Sequence, residues 1–213
     1  MQKKINVDKL KLNQIKYVCI EGNIGSGKSV LAKSLAKELN AIFVPESFEE
    51  NNLLPLFYER PKHFSFPLEY SFLISRFEQL YNVFASPNAS NKLIVADYSI
   101  YKCLWFAKVN LNKKDFLFFE KHFNAILSSL PKPDLIIYIT TDIENLQKNI
   151  RKRGREYEQS ISSSYLRKIE KQYKKGIKQI KVDNVLEVNV ENYYPKLQAD
   201  IIEFVNDFIK NLK

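Results

Sequence analysis

Apolar residues along this chain come either in short runs or in longer stretches where they recur every three or four positions. Such runs fall at 15–20, 41–44, 93–96, 134–139 and 185–190, continuous at 41–44 and 93–96 and carrying Lys16, Asp134, Glu187 and Asn189 in the others, and each reads as a strand of a covered sheet. Between the first two, Val30, Leu31, Leu35 and Leu39 recur at helical spacing over 29–39, with no Gly or Pro. Later stretches predict a short helix over 51–58, a long aromatic-rich one over 66–84, and helices over 101–106 and 113–127. Asp142 caps a helix running to about 153, and further helices are expected over 160–176 and 195–212. Pro61 and the run Leu130-Pro131-Lys132-Pro133 read as breaks. Short apolar strands alternating with helices predict an α/β fold, a central parallel sheet flanked by helices. No repeat, low-complexity block or linker divides the chain. Residues 1–14 are polar and read as an N-terminal arm, and 15–213 as a single domain.

Composition changes this picture little. The 213 residues are 45% hydrophobic and 27% charged, and no apolar run nears the length of a membrane span, so no membrane partner is expected. The start, Met1-Gln2-Lys3-Lys4, is not followed by an apolar signal core. Two cysteines, Cys19 and Cys103, are too few for a disulfide framework and read as buried thiols in a reducing cytoplasm. His63 and His122 stand apart, so no structural metal site is expected. The net charge of +9 raises nucleic acid as a partner, but lysines are spread along most of the chain. Positive charge gathers beside other functional-looking residues only at 148–155. Anionic nucleotides are therefore the expected partner, and nucleic acid is not.

One motif carries the chemistry. Gly22-Asn23-Ile24-Gly25-Ser26-Gly27-Lys28-Ser29 follows the first strand and opens the first helix. Glycines let successive N–H groups curl onto a phosphate, and the helix adds the positive end of its dipole. Lys28 would reach the outer phosphates and the Ser29 hydroxyl would hold Mg²⁺. Strand, glycine loop and helix is the order the motif needs.

In such sheets the site lies beyond the C-terminal strand ends, where Glu46 and Asp97 would join the loop. Asp97, after Leu93-Ile94-Val95-Ala96, has the placement of an acid that helps bind Mg²⁺ near Ser29; the alternative is a helix cap. Glu46 is placed to accept a proton from an acceptor hydroxyl, or is an ordinary loop carboxylate. Glu69 and Arg76, seven residues apart, project from one face of the long helix among Phe66, Leu68, Phe72, Leu73 and Phe77. They bracket a planar ligand with hydrogen-bonding edges, or form a solvent face. The cluster Lys148, Arg151, Lys152, Arg153, Gly154, Arg155, Glu156 and Glu158 suits phosphate contacts from a lid; the alternative is a basic helix terminus. No guanine-reading Asn-Lys-x-Asp motif is present, so the features favour a small-molecule kinase over a GTPase.

Several segments together resemble the deoxyribonucleoside kinases, similar to deoxycytidine, deoxyguanosine and bacterial deoxyadenosine kinases. The resemblance rests on 22–29, Val44-Pro45-Glu46, Phe57-Tyr58-Glu59-Arg60-Pro61-Lys62, Phe66-Pro67-Leu68-Glu69, Ser75-Arg76-Phe77, Asp97-Tyr98-Ser99, Pro131-Lys132-Pro133-Asp134-Leu135 and 151–159, nearly the whole chain after residue 15. It implies a P-loop nucleoside kinase fold with a five-stranded parallel sheet and an Arg-rich lid. It also implies transfer of the γ-phosphate of ATP, with Mg²⁺, to a nucleoside 5′-hydroxyl, and a homodimer packed through long helices such as 66–84 or 113–128. Residue by residue, Glu46 matches the general base, and Tyr58 and Glu158 the pair that holds the sugar 3′-hydroxyl. Arg76 matches a base-reading residue, Phe106 the aromatic that stacks on the base, and Arg153 and Arg155 the lid arginines, with Arg151 nearby. The loop 189–194 is similar to the segment packed on the ATP adenine.

Two departures stand out. Glu69 occupies a position usually held by Gln; an ionised carboxylate only accepts hydrogen bonds, which suits the N1–H and amino group of guanine, whereas adenine needs another contact or a protonated Glu69. Asp97-Tyr98 replaces the usual acid-arginine pair, so the arginine's role moves, to Arg155, or weakens. A purine deoxynucleoside, deoxyguanosine or deoxyadenosine, is the expected acceptor. The rivals are a thymidylate-type nucleoside monophosphate kinase, which would want an arginine at Tyr98, and a non-catalytic ATP-sensing protein.

Overall fold

The computed structural model describes residues 16–48, 51–89, 91–180, 182, 184–190, 199, 200, 202, 203 and 207. The expected N-terminal arm, the adenine-packing segment at 191–194 and most of the helix at 195–212 lie outside the described residues.

Five strands, β1 (Tyr17–Gly22), β2 (Ile42–Val44), β3 (Ile94–Ala96), β4 (Leu135–Thr140) and β5 (Asn184–Asn189), form one sheet in the order β2-β3-β1-β4-β5, every pair parallel. β1 and β4 are buried at every position, which is why both read as apolar runs. Asp134 fixes where they begin, accepting from the N–H groups of Lys16 and Tyr17 at 2.8 and 2.9 Å. Helices cover both faces. On one side α1 (Lys28–Glu38) lays Leu31 and Leu35 on Val18, Ile20 and Ile137. On the other, α3 (Pro61–Ala85), α4 (Tyr101–Asn110), α5 (Lys113–Leu127) and α7 (Ser163–Ile177) bury a core of aromatics that includes Tyr98, Trp105, Phe119 and Tyr173. α2 (Leu53–Glu59) and α6 (Ile143–Arg153) close the edges of the site. No helix among the described residues is long and apolar enough to cross a membrane.

Some boundaries differ from the pattern's prediction, each for a local reason. Pro61 opens α3 instead of breaking the chain before it, because a proline at the first helical position gives up an N–H that has no partner there. Pro67 lies inside the helix, on its exposed side. α4 continues past 106 to Asn110. The stretch predicted as one helix over 160–176 starts later, at Ser163, where the Ser162 hydroxyl accepts from the Tyr165 N–H at 3.2 Å. A separate 3₁₀ turn holds Glu156–Glu158. The helix ends one residue past the expected 176, and Gly176 is a packing position in its last turn: a Cβ there would lie 1.9 Å from the Trp105 Nε1.

Candidate active site

Parallel strands deliver three loops to the same edge of the sheet. β1 ends in the glycine loop, β2 runs through Pro45 to Glu46, and β3 ends on Asp97. The loop has the backbone that phosphate binding requires. Gly25 and Gly27 have φ of 80° and 87°, and a Cβ on Gly25 would meet the Leu146 carbonyl oxygen at 2.7 Å. Asn23 ties the loop to α7, its side-chain amide donating to the Leu166 carbonyl at 2.9 Å. Asn149 ties it to α6 by donating to the Gly25 carbonyl at 2.8 Å. Gly27 caps α1, so Lys28 and Ser29 form its first turn. The Lys28 ammonium donates to the Asn23 carbonyl at 3.0 Å. Burial and the nearby Lys102 bring its pKa down to about 8, partly offset by Asp97, Glu46 and Glu21.

Beyond the loop opens a cleft of about 690 Å³, mouth included, in the range of small-molecule sites. Its walls include Lys28, Ser29, Glu46, Tyr58, Glu69, Phe72, Arg76, Phe106, Arg153 and Glu158, with Ile24 and Gly25 of the glycine loop, so most residues singled out in the sequence share one cavity. Asp97 lies beside it at the Ser29 end: the Ser29 hydroxyl hydrogen-bonds the carboxylate, while Oδ1 is buried with no partner among the described residues. Burial, countered by Lys28, raises the Asp97 carboxyl to about 6. An orphaned carboxylate oxygen beside a hydroxyl fits Mg²⁺, which takes one or two protein oxygens and completes its shell with phosphate and water.

Glu46 is the most heavily engaged acid of the cleft. Oε1 accepts from Arg76 at 2.5 Å and from Lys102 at 2.7 Å, and Oε2 accepts from Lys102 at 2.6 Å. All three side chains are below a tenth exposed. Burial alone would raise the Glu46 carboxyl, but Lys102, Arg76 and Lys28 outweigh it and hold it down at about 2. Arg76 also donates to the Cys103 sulfur at 3.1 Å and stacks its guanidinium 4.5 Å from the Phe72 ring centroid. A solvent face is therefore excluded for Glu69 and Arg76, which are 1% and 6% exposed.

Glu69 lies deeper. Oε1 accepts from the Asn110 side-chain amide at 2.6 Å, and Oε2 is buried without a partner among the described residues. Burial, opposed by Asn110 and Arg76, raises its carboxyl to about 7. Phe106 and Phe72 line the same cleft, with apolar faces for a planar ring.

At the other wall two arginines of the basic cluster, Arg153 and Arg155, are joined to Glu158, while Lys148, Arg151 and Lys152 are exposed. Arg153 donates to the Glu158 Oε2 through Nε at 3.0 Å and through a second, short contact from NH2. Arg155 lies 3.5 Å from the Glu158 Oε1 and stacks on the Phe48 ring at 4.5 Å. Arg151 is exposed on the last turn of α6. Tyr58 stacks on Tyr157 with centroids 6.1 Å apart. Tyr98, at the position where an arginine is usual, is fully buried with its ring 5.8 Å from the Arg76 guanidinium, and its hydroxyl donates to the Gln79 Oε1 at 2.6 Å.

Lys102, Asn110 and Tyr165 line the cleft and were not singled out in the sequence. Lys102 had one legible signal, a lone cation inside the apolar run Ile100-Tyr101-Lys102-Cys103-Leu104-Trp105. Asn110 had none, since the helix that carries it was predicted too short.

A phosphate loop on a five-stranded parallel sheet, opening onto a cleft lined by the acids Glu46, Glu69 and Glu158, defines a P-loop phosphotransferase for small acceptors. The comparisons specify it further. The sequence profile of the family described as deoxynucleoside kinase matches residues 18–210, and the chain belongs to that family. It is a phosphotransferase that phosphorylates deoxynucleosides, with ATP the donor the family implies.

Among relatives, a deoxyguanosine kinase of Bacillus subtilis is 36% identical over 169 residues, 79% of this chain and 82% of that protein. A deoxyadenosine/deoxycytidine kinase of the same organism is 30% identical over 199 residues, 92% of each. A solved deoxyadenosine kinase from M. mycoides with bound dCTP superposes with a TM-score of 0.78 at 25% identity, covering 90% of this chain and 98% of that one.

Proposed function

We propose that the protein transfers the γ-phosphoryl group of ATP, with Mg²⁺, to the 5′-hydroxyl of a purine deoxynucleoside, deoxyguanosine ahead of deoxyadenosine. The observation that carries the base preference is the unpartnered, buried Oε2 of Glu69, facing a cleft whose walls are Phe72 and Phe106. Once ionised, Glu69 offers acceptors only, and Asn110 already occupies Oε1. What remains fits a base edge with adjacent N–H donors, as guanine has. Adenine presents one amino donor beside a ring-nitrogen acceptor, and pairs through both only when Glu69 is protonated. The nearest of the relatives above by identity, a deoxyguanosine kinase, supports the same order.

In this reading the base lies between Phe72 and Phe106, and Tyr58 and Glu158 take the sugar. The 5′-hydroxyl then faces Glu46. Glu46 stays ionised at every working pH, orients the hydroxyl and receives its proton late, as a loose phosphoryl-transfer transition state allows. Gly22 to Ser29 and Lys28 hold the donor phosphates, and Arg151, Arg153 and Arg155 close over them. Ser29 and Asp97 hold Mg²⁺, which when bound neutralises charge on the phosphate oxygens. A homodimer is proposed on the exposed Ile74 and Tyr81 of α3 and Leu117 and Phe118 of α5, each more than half exposed. A cytoplasmic setting agrees with two free, buried thiols.

The test is ATP-dependent phosphorylation of a panel of deoxynucleosides, ribonucleosides and monophosphates. Deoxyguanosine should lead in kcat/KM. Equal use of pyrimidine deoxynucleosides would remove Glu69 as the base reader. Product on monophosphates alone would move the acceptor class, and ATP binding with no product would favour a sensor.

A further inference from the structure

Glu46 has two oxygens with about four lone pairs between them. Arg76 and Lys102 use both on Oε1, and Lys102 uses one on Oε2. One lone pair, on Oε2, is left for an acceptor hydroxyl. The ammonium that spans the carboxylate decides which one that is, because a single donor from Arg76 would let the group rotate.

We propose that Lys102 is a positioning residue of the phosphoryl transfer: it clamps both oxygens of Glu46 and so presents the second lone pair of Oε2 to the acceptor hydroxyl. The inference rests on the reading of Glu46 as the group that takes that proton. In the step, the hydroxyl O–H proton passes to Oε2 as the oxygen bonds to the γ-phosphorus. The bond from that phosphorus to the bridging oxygen breaks, its electron pair leaving with the nucleoside diphosphate.

Three observations support the assignment. Lys102 is 6% exposed on α4, and Glu46 is the only carboxylate with which it forms an ion pair among the described residues. Tyr98 supplies no charge at its position: its hydroxyl donates to Gln79 and its ring lies 5.8 Å from the Arg76 guanidinium. Arg155, expected to take over the missing arginine's role, is engaged with Glu158 and Phe48. The charges around Glu46 come from every side: Arg76 on α3, Lys102 on α4, Lys28 at the start of α1 and Asp97 after β3. Removing Lys102 takes away the largest attraction opposing burial, so the Glu46 carboxyl would move up toward the working range.

Lys102→Met and Lys102→Arg test this, with kcat and KM for deoxyguanosine as readouts. Lys102→Met should lower kcat by about 100-fold or more and leave KM within a few-fold. Lys102→Arg keeps the charge and should recover about tenfold or more of the loss. A kcat within about threefold of the parent in Lys102→Met, or a loss carried by KM alone, overturns the proposal. Should Lys102→Met not fold, Lys102→Gln takes its place with the same expectations. Glu46→Gln separates the two ideas. If that variant loses turnover and Lys102→Met does not, only the clamp is wrong; if neither loses it, the reading of Glu46 falls as well.

Discussion

Replacing Glu69 by Gln isolates the charge of one buried carboxyl. The amide keeps the shape, and its oxygen can still accept from Asn110, which holds Oε1 at 2.6 Å. Burial raises the folded-state carboxyl from 4.5 to about 7. A group raised on folding contributes stability that is complete below its unfolded pKa and lost as pH climbs through the folded one. The window here is pH 4.5 to about 7. At roughly 1.4 kcal/mol per unit, the ionised carboxylate costs about 3 kcal/mol once pH exceeds 7. Glu69→Gln removes that cost, so its stability relative to the parent should rise by about 3 kcal/mol between about pH 4.5 and pH 8.

Urea unfolding of both proteins across that range measures it, since every other titrating group cancels in the difference. A difference that stays flat, or that falls as pH rises, would refute the claim that this carboxyl is buried against its charge. The same variant carries the base prediction. Gln offers a donor where the parent offers only acceptors, so deoxyguanosine should lose about tenfold or more in kcat/KM relative to deoxyadenosine.

Four further outcomes follow from the packing. Gly176→Ala would ordinarily strengthen a helix by about 1 kcal/mol. Here the new methyl meets the Trp105 ring, so we expect a net loss of about 2 kcal/mol with a shifted emission from this single tryptophan; a stabilised variant would contradict the contact. Glu46→Gln should cut turnover by about 100-fold or more with nucleoside affinity little changed. It also leaves Arg76 and Lys102 buried without their counter-charge, at a cost of about 3 kcal/mol in urea unfolding. Tyr98→Phe removes one hydrogen bond to Gln79 and should cost about 1 kcal/mol of stability while kcat stays within about twofold; a large kcat loss would place Tyr98 in the chemistry. Asp97→Asn should raise the Mg²⁺ concentration for half-maximal rate by about tenfold or more, and an unchanged requirement would move the metal elsewhere.

The parts of this molecule legible in the sequence are those a local rule dictates. The apolar runs became the strands: β1, β3 and β4 because both sheet faces are covered there, and β5 as an edge strand whose Glu187 and Asn189 are exposed; the glycine loop was readable because its backbone admits few residues. Glu46, Asp97, Glu69 and Arg76 were legible through strand ends and helical spacing. Lys102 and Asn110 were not, because their partners Glu46 and Glu69 lie 56 and 41 residues away and no local rule couples them. Pro61 misled for the opposite reason: proline breaks helices in general and opens them at one position, and the sequence does not say which. The constraint on Gly176 was not legible either, being an indole on another helix.

The cross-chain ties of the phosphate loop bear on synthesis. Asn23 is held by the Leu166 carbonyl, and Glu21, one residue before the loop, by the Tyr173 hydroxyl at 3.0 Å, partners 143 and 152 residues further along. A ribosome adding about 5–20 residues per second needs roughly 7–30 s to supply them. During that interval the emerging chain carries the whole glycine motif without the contacts that shape it. Nucleotide therefore cannot assist the early steps of folding, and a chain truncated before residue 166 should emerge with its phosphate motif intact and its affinity for ATP lost.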